Sequence, residues 1–99
     1  MKSTMPDPIR ISNVHFTAAP PTDTERGLLG WVSCSLNGNL RLDGLGLRRS
    51  VGGRHVLSFP ARRDSQGRQR FFLRPLDDAA RREIEHQVFQ ALGIEEGVR

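Results

Sequence analysis

The run Leu28–Leu36, followed at once by Asn37-Gly38, limits what this chain can fold into more than any other feature. Leu28, Gly30, Val32, Cys34 and Leu36 share one parity, and Leu29, Trp31, Ser33 and Ser35 the other. Such alternation belongs to a strand with one buried face. Asn-Gly is the strongest short hairpin signal, because both central residues of a type I′ turn need positive φ. The returning strand runs from about Asn39 to Arg48. Leu40 and Leu42 face one way, Leu45 and Leu47 the other, and Asp43-Gly44 sits at the switch, where one extra residue makes a β-bulge.

The flanking segments extend this hairpin into a sheet. Ile9 and Ile11 share a parity that Val14 and Phe16 reverse, which predicts another bulge in an opening strand. Ala18–Gly27, with Pro20-Pro21, reads as a flexible connection. A turn at Val51-Gly52-Gly53 leads to a strand over His55–Phe59, ended by Pro60, and then to a polar arm over 61–70. Phe71–Leu73 is a short last strand, with Phe71 and Phe72 expected in the core on opposite sheet faces. Asp77 or Asp78 caps a helix whose stripe is Ala80, Ile84, Val88 and Ala91, bordered by Leu92 and stopped by Gly93. Strands followed by one helix make an α+β domain: a bent antiparallel sheet of about five strands with the C-terminal helix on one face. The domain spans 9–93, after a disordered lead-in over 1–8 and before a frayed tail over 94–99.

At 99 residues and 36% hydrophobic content the core is lean, so oligomerisation is expected. No run of 18 apolar residues exists for a membrane span, and the polar Met1–Pro8 lacks a signal segment, which points to the cytoplasm. One cysteine and three scattered histidines do not make a structural zinc site. Asp43, Asp64, Asp77 and Asp78 sit at turns or a cap, His15, His55 and His86 lie in separate elements, and Cys34 has core parity without an adjacent histidine. This pattern argues against an enzyme, and implies no cofactor, metal or small-molecule substrate.

Charge is the informative feature. Between Asn39 and Arg74 stand nine arginines against Asp43 and Asp64, whereas the rest of the chain is net acidic. Arginine's planar fork suits phosphate, so a local excess suggests a polyanionic partner. Arg62, Arg63, Arg68 and Arg70 flank one turn, and a ribbon with arginines on both legs can straddle phosphates of one strand. The bland reading of that cluster is a solvated hairpin whose charges deter edge-to-edge pairing. Arg48, Arg49 and Arg54 extend the surface if the sheet sets the two hairpins side by side. Arg81 is an accessory contact, or simply the partner of Glu85 one helical turn on.

The order of these elements, from about Ile9 to Gly93, resembles the SpoVG family of small bacterial septation and sporulation proteins. The residues carrying the resemblance are Val14, the strand Gly30-Trp31-Val32-Ser33-Cys34-Ser35-Leu36, and Phe59-Pro60-Ala61-Arg62-Arg63 with its turn closing on Gly67. Pro75-Leu76-Asp77-Asp78, then Arg81, Ile84 and Val88, complete it. Glu83 departs from the family's basic residue there, and Trp31 and Cys34 from its small strand residues. The resemblance implies a homodimeric regulator that binds DNA, in some members RNA, and affects septation or developmental gene expression.

A dimer needs a surface. Phe89 lies about 140° around the helix from Ile84, off the core stripe, and so suggests a subunit interface. Trp31 and Leu29 occupy the sheet face opposite Val32, which a second subunit could cover; the reverse assignment, Trp31 under the helix, is equally open. A rival from another class is a protein–protein adaptor, in which exposed Trp31 and Phe89 bind a partner and the arginines only solubilise.

Overall fold

The computed structural model of the protein describes residues 8–94. The chain runs β1 (Ile11–Ala18), α1 (Pro21–Thr24), β2 (Leu28–Leu36), β3 (Leu40–Arg49), β4 (His55–Ser58), β5 (Ala61–Arg63), β6 (Gln69–Phe71) and α2 (Asp78–Leu92). Strands β1 to β4 form an antiparallel meander in chain order, and β5 and β6 pair as a separate two-stranded ribbon. The architecture is α+β, as the sequence predicts. The arm expected over 61–70 is this ribbon, with the last strand beginning two residues earlier than expected. Most of the expected lead-in and tail lies outside the described residues.

The central hairpin forms as its turn chemistry requires. Asn37 and Gly38 have φ of 52° and 69°, and the Asn39 N–H donates to the Leu36 carbonyl at 3.0 Å. Both expected bulges are present. β1 shifts register between Ser12 and His15, where Asn13 has φ 51°. β3 carries an extra residue at Asp43-Gly44, opposite the step from Val32 to Cys34. A third bulge, which alternation does not reveal, sets the two β2 steps from Leu28 to Gly30 against one step of β3, from Arg48 to Leu47. It exchanges the faces of the two leucines. Leu29 packs against the core, whereas Leu28 lies over Gly46, the cross-strand partner of Trp31.

One face of the sheet is buried. Val32, Cys34, Leu42, Leu45, Leu47 and Leu57 pack with Phe59 and with Ile84, Val88 and Phe89 of α2. Each such side chain contributes about 1.5–3 kcal/mol of apolar burial. The helix is set by its ends. The Asp77 side chain accepts from the Ala80 N–H at 2.9 Å, and Gly93 closes it in the left-handed conformation. The Ile94 N–H then bonds the Phe89 carbonyl and its side chain joins the core, so position 94 belongs to the domain and not to a frayed tail.

Two expectations about apolar residues are corrected here. Phe89 is 1% exposed, with its ring edge-on to His55, and so forms core and not a subunit interface. The helix approaches the sheet along Ile84, Val88, Phe89 and Leu92, leaving Ala91 exposed. Phe71 and Phe72 are exposed where core positions were expected, because the β5–β6 ribbon stands apart from the meander.

Helix α2 also serves the two edges of the sheet. On β1 the Ile11 N–H donates to Gln87 Oε1 at 2.7 Å, and Gln87 Nε2 donates to the Ile9 carbonyl at 2.7 Å. On β4 the Leu57 N–H donates to Glu85 Oε2 at 2.9 Å, and Arg81 Nη2 donates to the Leu57 carbonyl at 3.1 Å. Residues 85 and 87 point about 200° apart around a helix, so opposite flanks of α2 reach opposite edges. Side chains here stand in for neighbouring strands.

Two substitutions test this packing in urea unfolding. Phe89→Ala is expected to cost about 3–5 kcal/mol, and a loss under about 1 kcal/mol would put the ring outside the core. Glu85→Ala strands the Leu57 N–H and is expected to cost about 1–3 kcal/mol; an unchanged midpoint would show that the edge bond contributes nothing.

Candidate nucleic-acid interface

The β5–β6 ribbon is built around one carboxylate. Asp64 Oδ1 accepts the backbone N–H groups of Gln66 and Arg68, both at 2.9 Å, which fixes the turn. Asp64 Oδ2 lies 2.9 Å from Arg70 Nε and 3.8 Å from Arg68 Nε. These bonds hold the Asp64 carboxyl below the usual carboxylate range, the Arg68 backbone N–H first and the Arg70 side chain second. Arg68 also bonds the Gln66 side chain, and Arg63 Nη1 donates to the Gly67 carbonyl at 2.7 Å.

Alternation sorts the ribbon into two faces. Arg62 and Arg70 are cross-strand partners on the face that carries Asp64 and Phe72. The Arg62 guanidinium lies 5.8 Å from the centre of the Phe72 ring, a ring that is 66% exposed. Arg63 and Gln69 pair on the other face with Ala61 and Phe71, and Arg74 lies 5.5 Å over the Phe71 ring. Of the four ribbon arginines, Arg68 and Arg70 share the one carboxylate. Among the described residues no carboxylate pairs with Arg62 or Arg63.

The other expected contacts do not join this cluster. Arg48 and Arg49 leave β3 on opposite faces: Arg48 stands between Leu28 and Val56, while Arg49 opposes His55. With Arg54 they lie at the start of β4, and the ribbon follows its end, so the four residues of β4, about 13 Å of strand, separate the two groups. The ribbon strands pack broadly on each other and on neither β3 nor β4, so the two hairpins do not sit side by side. Arg81 is engaged with Glu85, at 3.5 Å, and with Leu57. The ion pair with Glu85 that the helical spacing offers is thus present.

Of the expected interface residues only Trp31 is available, 38% exposed on the uncovered sheet face. Three features have no counterpart in the sequence reading. Arg74 stacks on Phe71, Arg41 bridges Asp43 and Ser33, and Phe71 at the end of β6 is followed by exposed Phe72, Leu73 and Leu76. Pro75, which lacks a ladder donor, is the sequence signal for a segment leaving the sheet. Between β6 and the start of α2 an open groove of about 500 Å³ is lined by Leu57, Phe59, Phe71, Arg74, Leu76 and Arg81. Cys34 is fully buried, and burial pushes its thiol up.

No protein-family model matches the chain, and no curated protein matches it. Among the described residues no helix is long and apolar enough to cross a membrane.

The lowered Asp64 value fixes a pH dependence. The unfolded chain titrates near the ordinary aspartate value of about 3.9, and the folded ribbon below it. The stabilisation is thus complete above that range and is lost as pH falls through the lower, native value. Amide resonances of Gln66 and Arg68 are expected to keep their folded positions on acidification until below pH ~3.9, and Asp64→Asn to abolish that transition. Loss of those positions well above pH 4 in the unaltered protein would contradict the geometry.

Proposed function

We propose that the protein is a small dimeric nucleic-acid-binding regulator of the SpoVG type, acting in the bacterial cytoplasm on septation, sporulation or related gene expression. It binds phosphates of DNA or RNA through the β5–β6 ribbon. The observation that carries the reading is that Arg62, Arg63, Arg68 and Arg70 stand on one exposed ribbon with a single carboxylate between them. Arg62 and Arg63 make the first phosphate contacts, having no carboxylate partner among the described residues. Arg68 and Arg70 are pre-oriented by Asp64 and add a weaker field, while Arg48, Arg49 and Arg54, with Arg48 and Arg49 on opposite faces of β3, add only a diffuse positive charge. Phosphate contacts position a protein without specifying sequence, and no helix here carries base-reading residues, so sequence preference is modest. The resemblance rests on the same residues, because Phe59-Pro60-Ala61-Arg62-Arg63 leads into and forms β5.

Exposure of Trp31, Phe71, Phe72, Leu73 and Leu76 favours one other reading, an adaptor that docks a partner through apolar surface. Charge reversal separates the two. If Arg62 and Arg63 of two protomers neutralise about four phosphates, log K falls against log salt with a slope near −3.6. The double variant Arg62→Glu/Arg63→Glu is expected to abolish a gel shift at 50 mM salt. An affinity insensitive to salt, or one unchanged in the double variant, would sink the proposal in favour of apolar docking.

A further inference from the structure

We infer that the dimer assembles by antiparallel pairing of β6 with β6 of a second copy, across a twofold axis at Arg70, so that both copies build one basic face. This rests on the dimeric reading above and says which surface makes it. Within the ribbon, the Phe72 N–H bonds the Pro60 carbonyl and the Asp64 N–H bonds the Arg68 carbonyl. In an antiparallel ladder hydrogen-bonded pairs alternate with non-bonded ones, so Arg62 and Arg70 form the bonded pair between these two. The N–H and C=O groups of Gln69 and Phe71 therefore point away from β5. Among the described residues they have no hydrogen-bond partner.

A second copy supplies that partner with matching register. Turning β6 about an axis through Arg70 sets each Gln69 opposite the other copy's Phe71, and each such pair exchanges two backbone bonds. The Arg70 residues then face each other as a non-bonded pair. The main sheet lacks this option where Gln87, Arg81 and Glu85 occupy its edges. A free two-stranded ribbon is marginal in water, and a third and fourth strand remove that weakness.

The other edge of the ribbon is a poorer partner for itself. Pairing through β5 would bring two Arg62 side chains together with no carboxylate on either, and it offers Ala61 where β6 offers Phe71. Each Arg70 carries its own counter-ion, Asp64, at 2.9 Å. The β6 pairing also continues past Phe71 into the exposed Phe72 and Leu73. On the shared face Arg62, Arg70 and their two symmetry copies form a row about 15 Å long, from strand-pair Cα spacings of about 4.5–5.5 Å. That length matches roughly four nucleotides at 3.4 Å each.

Cross-linking tests the pairing without nucleic acid. Across a non-bonded pair the Cα atoms lie about 4.5 Å apart, within disulfide range. Under mild oxidation Arg70→Cys is expected to give a species of twice 11.1 kDa, while Arg62→Cys and the unaltered protein, whose Cys34 is buried, stay uncross-linked. Amide exchange in the unaltered protein is the second measurement: Gln69 and Phe71 should slow with rising concentration while Ala61 and Arg63 do not. An Arg70→Cys variant that stays monomeric, equal cross-linking by Arg62→Cys, or Gln69 and Phe71 amides indifferent to concentration would overturn the inference. Concentration-dependent protection of Gln69 and Phe71 in an unaltered protein that shows no salt-dependent phosphate binding would overturn only the functional reading, and an unaltered protein that binds phosphate as a monomer only this one.

Discussion

The seat of α2 on the meander organises the molecule. Ile84, Val88 and Phe89 close one face of the sheet, and the polar flanks of the same helix hold backbone groups of both edge strands. A lean chain obtains two things from one element: cover for its core and protection of its edges. The arrangement leaves the outer face around Trp31 uncovered, and the β5–β6 ribbon, which follows β4, pairs with neither edge of the meander.

Charge placement follows the same logic. An arginine near the helix is drawn into structure: Arg81 is held by Glu85 and the Leu57 carbonyl. On the ribbon Asp64 is the sole carboxylate, and one carboxylate cannot neutralise four guanidinium groups. Asp64 serves the turn through two backbone bonds and uses its remaining oxygen to orient Arg70. Exposed pairs of this kind contribute little to stability, so the guanidinium groups can exchange the carboxylate for a phosphate oxygen at small cost.

Local chemistry made much of the fold readable. Asn37-Gly38, the Asp43-Gly44 bulge, the Asp77 cap and the Gly93 stop each depend on residues adjacent in sequence, and each appears where expected. One misreading is local, since the connection expected over Ala18–Gly27 holds the short helix α1; the others concern relations between distant elements. Nothing local marks the bulge that exchanges Leu28 and Leu29, because both are leucine and either can face the core. Phe89 reads as off-stripe only if Ala80 and Ala91 define the stripe; larger side chains set the approach, and the helix rolls towards Phe89. Phe71 and Phe72 read as core because aromatic pairs in strands usually are, yet their ribbon is not part of the main sheet. The arginine cluster at 61–70 was legible as one unit since a single turn makes it, whereas its union with Arg48, Arg49 and Arg54 required a tertiary arrangement that β4 prevents.

Amide chemical-shift mapping during titration with a short duplex at low salt tests the central claim most directly. The largest shifts are expected at Arg62, Arg63, Arg68 and Arg70, smaller ones at Phe72 and Arg74, and little change around Trp31 or at Arg81. Shifts centred on the open sheet face, or none anywhere on the ribbon, would contradict it.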